Sequence, residues 1–149
     1  MREYVISKYN PEYRINGVYS LNEWTSISDI GKRFATGVLT ADQYKKVEQA
    51  YIDCCITLMR YAEIKKLSVC NPEYYSKCRL PRSLSSERDI CQAIMDCLQE
   101  KCWARLEAKK FYIYIGYDYY IHVGTELSDL LVKEVAQKFG LFCEDGDGL

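Results

Sequence analysis

The longest hydrophobic pattern in the chain lies between residues 41 and 65. Apolar side chains recur there at steps of three or four, which is the spacing of a helix that rests one side on a core. They are Tyr44, Val47, Tyr51, Cys54, Cys55, Leu58 and Ala62. Thr40 stands where an N-cap belongs, so we predict a helix over 41–65.

Three further helices are predicted from the same spacing, each after a Ser or Thr that can cap it. They run from Ser26 to before Gly37, from Ser85 or Ser86 to about Lys109, and from Thr125 to Gly140. Gly140 is expected to end the last helix as a C-cap glycine. The side chains expected to point inward from that helix are Leu127, Leu130, Leu131, Val135 and Ala136.

Apolar and polar positions alternate between residues 111 and 123, which is the period of a strand. Gly116-Tyr117-Asp118 interrupts the alternation, so this stretch predicts a β-hairpin. One face would hold Phe111, Ile113, Ile115, Tyr119, Ile121 and Val123, and the other Tyr112, Tyr114, Tyr120 and His122. Other strands are predicted at 3–9 and 141–143, while 67–70 fits either a short strand or extended chain and 71–84 fits a loop.

The order of these elements predicts a single α+β domain over residues 1–149. We expect a small mixed or antiparallel sheet with about four helices packed mainly on one face. Residues 144–149 are polar and acidic, and we expect them to form a frayed tail.

The charged residues are distributed unevenly along the chain. The whole chain carries −1, which favours neither a nucleic acid nor a membrane as partner. Residues 1–115 hold 18 Lys and Arg against 14 Asp and Glu, a net +4, whereas residues 116–149 hold 2 against 7, a net −5. The acidic excess is either ordinary surface charge or a patch for a basic partner.

The eight cysteines are interpreted through the compartment in which the chain works. No apolar run reaches the roughly 18 residues of a transmembrane helix, and the N-terminus lacks the apolar core of a secretory signal. We therefore expect a reducing cytoplasm and no disulfides. No C-x₂-C spacing occurs and there is one histidine, so we expect no metal and no cofactor. The cysteines are then expected to pack as small buried hydrophobes.

Candidate catalytic residues are few. His122 is the only histidine, so a Cys–His or Ser–His pair would have to use it. It stands in the middle of a predicted strand, where a hydrogen-bonded surface histidine is the commoner role. No glycine-rich phosphate loop and no paired carboxylate motif occurs. We therefore predict a protein that is not an enzyme.

Tyrosine is the anomaly of the composition, with 14 residues. Its ring and hydroxyl suit recognition surfaces, and it is enriched among binding hot spots. The tyrosine face of the hairpin, its turn and the nearby carboxylates therefore predict a partner-binding surface. Its members are Tyr112, Tyr114, Tyr117, Asp118, Tyr120, Glu126 and Asp129. The alternative is that a helix covers this face, which would make the tyrosines part of the core.

Four segments give the chain a family resemblance. They are Tyr4-Val-Ile-Ser-Lys-Tyr-Asn-Pro11, Asn22-Glu-Trp-Thr-Ser-Ile-Ser-Asp-Ile-Gly31, Tyr112-Ile-Tyr-Ile-Gly-Tyr-Asp-Tyr119 and Ala136-Gln-Lys-Phe-Gly-Leu141. Together they resemble small bacterial immunity proteins of contact-dependent growth inhibition and polymorphic toxin systems. The resemblance implies a cytoplasmic, non-enzymatic inhibitor that binds a cognate toxin domain, often a nuclease. Another interaction module or adaptor is the alternative, and an enzyme with an unrecognised site around His122 is the least favoured.

Overall fold

A computed structural model describes residues 1–146 of the chain. The three helices are α1 (Ala41–Tyr61), α2 (Glu87–Leu98) and α3 (Asp129–Lys138). The strands are β1 (Arg2–Ser7), β2 (Arg14–Ile15), β3 (Val18–Tyr19), β4 (Arg33–Phe34), β5 (Gly37–Val38), β6 (Leu67–Tyr74), β7 (Ser83–Leu84), β8 (Cys102–Ala108), β9 (Phe111–Ile115), β10 (Ile121–Thr125) and β11 (Phe142–Asp145). Single 3₁₀ turns occur at Pro11–Tyr13, Ile27–Asp29 and Tyr117–Tyr119.

Seven of the strands form one antiparallel sheet in the order β11-β1-β10-β9-β8-β6-β7. The β2–β3 and β4–β5 pairs are separate two-stranded hairpins. The α+β class is therefore confirmed, whereas a small sheet with four helices was wrong: the described part holds seven main-sheet strands and three α-helices.

The helices cover one face of this sheet and bury the core against it. Alternate residues of the central strands point into that core, and they are Tyr4, Ile6, Phe111, Ile113, Ile115, Ile121 and Val123. The hairpin prediction is confirmed on this side, because Tyr119 also lies in the core. The opposite face of the sheet, away from the helices, is called the outer face below.

Helix α1 confirms the most regular part of the sequence pattern. The Thr40 hydroxyl accepts a hydrogen bond from the Gln43 N–H, and the Gln43 side chain accepts one from the Thr40 N–H, forming a capping box. The apolar stripe faces inward, with Tyr51, Cys54 and Leu58 fully buried. The helix ends at Tyr61, four residues before the expected boundary.

The helix predicted after Ser26 is only one 3₁₀ turn. Ser26 does act as its N-cap, but the turn ends at Asp29 and the chain continues into the β4–β5 hairpin. Gly31 adopts φ +92°, which takes the backbone out of the right-handed helical region almost at once.

The helix predicted to reach Lys109 ends at Leu98, and β8 follows it. Glu100 has φ +61°, so the backbone reverses between the two elements. The misassignment has a geometric cause. Leu98, Cys102 and Leu106 are spaced by four, which satisfies a helical stripe and also keeps the last two on one side of a strand.

Two other boundaries differ from the sequence prediction. β6 continues through Tyr74, across a register shift between Cys70 and Glu73, so residues 71–74 are not loop. Helix α3 begins after Ser128 rather than Thr125, which is the last residue of β10. As a result Leu130 is 68% exposed and Val132 is buried in its place.

Residues 144 and 145 belong to a strand and not to a frayed tail. Gly140 has φ +73° after α3, which confirms the C-cap glycine. Glu144 and Asp145, expected in that tail, instead pair with β1. Arg14 donates from both terminal nitrogens to the Glu144 carboxylate. Residues 147–149 of the expected tail lie outside the described residues.

The cysteines divide between the core and its edge. Those in the core are Cys54, Cys55, Cys97 and Cys102, and those half-buried around it are Cys70, Cys78, Cys91 and Cys143. Across residues 1–146, no helix combines the length and apolar character needed to span a membrane.

Candidate functional site

The outer face carries a continuous patch of aromatic and charged side chains across its central strands. Register places Tyr114 of β9 opposite His122 of β10, and Tyr112 opposite Gly124. The same alternation places Trp103, Arg105 and Glu107 of β8 and Glu3 of β1 on this side. None of these side chains belongs to the core beneath the helices.

The rings of the outer face are held against one another. His122 stacks on Tyr114 with centroids 4.5 Å apart and an interplanar angle of 4°. Trp103 lies 6.0 Å from Tyr114 on its other side, and Tyr112 is 6.1 Å away. The Arg105 guanidinium sits 3.7 Å above the Tyr112 ring. Such mutual packing restricts the rotamers of these side chains.

Glu3 of β1 connects the first strand to the aromatic side chains of the outer face. It accepts a hydrogen bond from the Tyr112 hydroxyl, and its Oε1 lies 3.0 Å from His122 Nδ1. Burial by itself would raise the pKa of the Glu3 carboxyl, but the hydrogen bonds from Tyr112 and His122 outweigh it and lower that pKa. Glu3 is therefore ionised at neutral pH and orients both rings.

A groove of about 680 Å³ opens where this patch reaches one end of the sheet. It is bounded by the end of β6, the start of β8, the turn between β9 and β10, and the residues after α2. Its lining residues are Thr25, Glu73, Tyr75, Cys97, Leu98, Glu100, Cys102, Trp103, Tyr114, Ile115, Gly116, Tyr117, Asp118, Tyr119 and His122.

The charges of the groove are of one sign. Glu73, Glu100 and Asp118 line it, and none of the described lining residues is a lysine or an arginine. Within residues 1–146 these three carboxylates form no ion pair; the Tyr75 hydroxyl donates to Glu73, and the Ser26 hydroxyl donates to Glu100. The groove therefore combines aromatic walls with uncompensated negative charge.

The turn beside the groove is strained and firmly anchored. Asp118 and Tyr119 have φ of +59° and +71°, in the left-handed region that non-glycine residues seldom occupy. Tyr119 is buried, with its hydroxyl 3.0 Å from that of Tyr44, and the Tyr9 hydroxyl donates to the Asp118 carbonyl at 2.7 Å. Tyr117, which directly precedes these two anchored residues, is 95% exposed.

The structure gathers some of the predicted binding residues and separates others. Tyr114, Tyr117 and Asp118 line the groove. Tyr112 lies beside them on the outer face, although only 8% of it is exposed. Tyr120 packs 5.1 Å from the Tyr9 ring, so it faces the N-terminal segment rather than the groove.

Glu126 and Asp129 are at the opposite end of the hairpin from the turn. The five residues of β10 separate the two ends by roughly 15 Å. Glu126 pairs there with Lys110 at 3.5 Å, and Asp129 pairs with Lys133 at 3.0 Å. Much of the acidic excess of the C-terminal segment is thus neutralised locally and does not reach the groove.

Sequence reasoning missed the other wall of the groove. The helix predicted to reach about Lys109 contains Trp103, and the loop predicted over 71–84 contains Glu73. The alternation of Trp103, Arg105 and Glu107 with Cys102, Ala104 and Leu106 could have revealed the strand and this wall.

His122 has one part of a general-base arrangement. Glu3 orients its Nδ1, and the other edge of the ring lies against Gly116, where an added Cβ would come 2.8 Å from Nε2. In the described chain no hydroxyl or thiol hydrogen-bonds to that nitrogen, so a nucleophile–histidine pair is not assembled. Nor do residues 1–146 contain a cluster of three His, Cys, Asp or Glu side chains able to hold a metal.

No family model, no curated protein and no solved structure matches the chain. Its function is therefore inferred from the geometry of the groove and the outer face.

Proposed function

We propose that this protein is an immunity protein, which binds a cognate toxin domain and neutralises it. The observation that supports this most is Tyr117. It is almost fully exposed on a turn with two left-handed residues, held from below by Tyr119 and Tyr9. A tyrosine ring in that exposed place adds little to the stability of the fold. In a complex, its fixed backbone would present it as an aromatic anchor for the partner.

The groove next to Tyr117 favours a basic partner. Its aromatic walls supply contact area, and its three unpaired carboxylates would attract positive charge and speed association. A nuclease, whose active-site cleft is basic because it binds phosphates, is the class of toxin that fits best. The resemblance of four segments to bacterial immunity proteins points the same way.

Co-expression tests the proposal directly. Toxin domains encoded beside its gene are expressed in a bacterium with or without this chain, and growth is followed. We expect wild type to protect the cells, and Glu73→Lys, which reverses a groove charge, to weaken the complex by about tenfold or more. Glu134→Lys is the matched control, since it changes an exposed glutamate of α3 that does not line the groove. Failure to protect against any such domain, or equal losses for both variants, would contradict the proposal.

Catalysis at His122 is the second candidate, because the Glu3–His122 pair borders the groove. Stoichiometry separates it from neutralisation by binding. An inhibitor titrates its toxin at a fixed molar ratio, whereas an enzyme inactivates many equivalents. Activity assays of the toxin at increasing ratios of the purified chain would distinguish the two.

A further inference from the structure

We infer that the groove is a receptor for the guanidinium group of an arginine, carried on a loop of the partner. This inference rests on the proposed function and specifies which chemistry of the partner is recognised. The first support is electrostatic. Glu73, Glu100 and Asp118 come from three different parts of the chain and converge on one groove without a positive neighbour among its described lining residues. A cation that enters the groove would be attracted by all three carboxylates.

The aromatic walls favour arginine over lysine. Tyr75, Trp103, Tyr114 and Tyr117 border the same space as the carboxylates. A guanidinium is planar, stacks on aromatic rings and has five N–H donors to share among separate acceptors, whereas an ammonium is a compact, strongly hydrated charge. The molecule itself holds arginines this way: Arg105 lies 3.7 Å above Tyr112, and Arg79 lies 4.4 Å above Tyr74.

The size and the shape of the groove argue for a loop. At about 680 Å³ it is far larger than a metal ion requires and falls in the range of pockets that hold a drug-sized ligand, which leaves room for an arginine side chain and its neighbours. Tyr117 lines the same groove and is almost fully exposed, so its ring is available to the segment that follows the arginine. A flat basic surface could not place its charge between Glu73 on one wall and Asp118 on the other.

Binding of short blocked peptides tests the inference without the toxin. The chain has two tryptophans, so the indole N–H signal of Trp103 can be followed by NMR and assigned with Trp103→Phe. Three peptides are compared: Gly-Arg-Gly, Gly-Lys-Gly, and the same sequence with citrulline, which keeps the shape of arginine and lacks its charge. We expect saturable millimolar binding of the arginine peptide, weaker binding of the lysine peptide, and none of the citrulline peptide.

Variants connect that signal to the groove. Glu73→Gln and Glu100→Gln should each weaken binding of the arginine peptide by about fivefold to tenfold. Glu134→Gln, at an exposed position of α3 outside the groove, is the control and should leave it unchanged. Equal binding of the arginine and citrulline peptides, or no movement of the Trp103 signal, would overturn the inference.

The two proposals fail separately. A chain that neutralises its toxin but ignores the arginine peptide would overturn the arginine receptor and leave the immunity function standing. A chain that binds the arginine peptide selectively but protects against no toxin would do the reverse.

Discussion

Gly124 sets how closely the outer face can pack. An added Cβ at this position would meet Cε1 of Tyr112 at 2.0 Å and its Cζ at 2.4 Å. The Tyr112 ring therefore lies directly across the β10 backbone, where its hydroxyl reaches Glu3 and its upper surface receives Arg105. A glycine in a strand lacks side-chain packing of its own, and here the neighbouring ring supplies it.

Gly124→Ala should lower the free energy of unfolding by about 1–3 kcal/mol, because the methyl group would displace the Tyr112 ring. A double-mutant cycle with Tyr112→Ala, measured by urea denaturation, isolates this cause. Once the ring is absent, the alanine has room, and Gly124→Ala should cost little or even stabilise the strand. An equal cost in both backgrounds would show that the glycine serves another purpose.

Some elements are well predicted from the sequence because both their hydrophobic pattern and the residues that end them lie close together in the chain. Helix α1 combines a long stripe with a capping box, and the β9–β10 hairpin combines alternation with a short turn. β6 and β8 are harder to place, since they pair with one another across 28 to 39 residues and the spacing of Leu98, Cys102 and Leu106 also fits a helix. The candidate site divides likewise: Tyr114, Tyr117 and Asp118 belong to the hairpin and were predicted, whereas Trp103 and Glu73 reach the groove only through the β6–β8 pairing.

Leu58 tests the burial of α1. It is fully buried in the core between the helices and the sheet, so Leu58→Ala should cost about 2–5 kcal/mol in the free energy of unfolding. Leu130→Ala in α3 is the matched control, because that leucine is largely exposed and its truncation should change stability by less than about 0.5 kcal/mol. Urea denaturation of both variants makes the comparison. Similar losses for the two leucines would contradict the assigned faces of the helices.

Across the whole molecule, folding raises the pKa of several buried thiols and tyrosine hydroxyls. Burial raises the pKa of Cys54 and of Cys143 to about 12, and that of Cys55 well above the ordinary thiol value of 9.0. Burial likewise raises the pKa of Tyr51. Lys8 opposes this trend, because burial lowers its pKa from 10.5 to about 8 despite the nearby Glu23. The pKa of one amine is therefore lowered by burial, whereas the pKa values of several thiols and phenols are raised.

Stability should therefore fall on the alkaline side. A thiol whose pKa is higher in the folded state stabilises the fold fully below the unfolded value of 9.0, and that contribution is lost as the pH rises towards the folded pKa. Above pH 9 each of the two fully buried thiols, Cys54 and Cys55, steepens the loss by about 1.4 kcal/mol per pH unit. Deprotonation of Lys8 between about pH 8 and 10.5 works in the other direction, but for a single group. The free energy of unfolding, measured in urea with reductant from pH 7 to 10, should decline from about pH 9 upward.

Cys54→Ala assigns part of that decline to one buried thiol. At pH 7 the variant should be less stable than wild type by about 1 kcal/mol, because a buried sulfur is removed. Above pH 9 wild type loses the contribution of this thiol and the variant has none to lose, so the two stability curves should converge. Leu58→Ala, which removes buried apolar atoms and no titratable group, should run parallel to wild type. Parallel curves for Cys54→Ala would mean that the alkaline loss arises from other groups, with the buried tyrosines the next to be replaced.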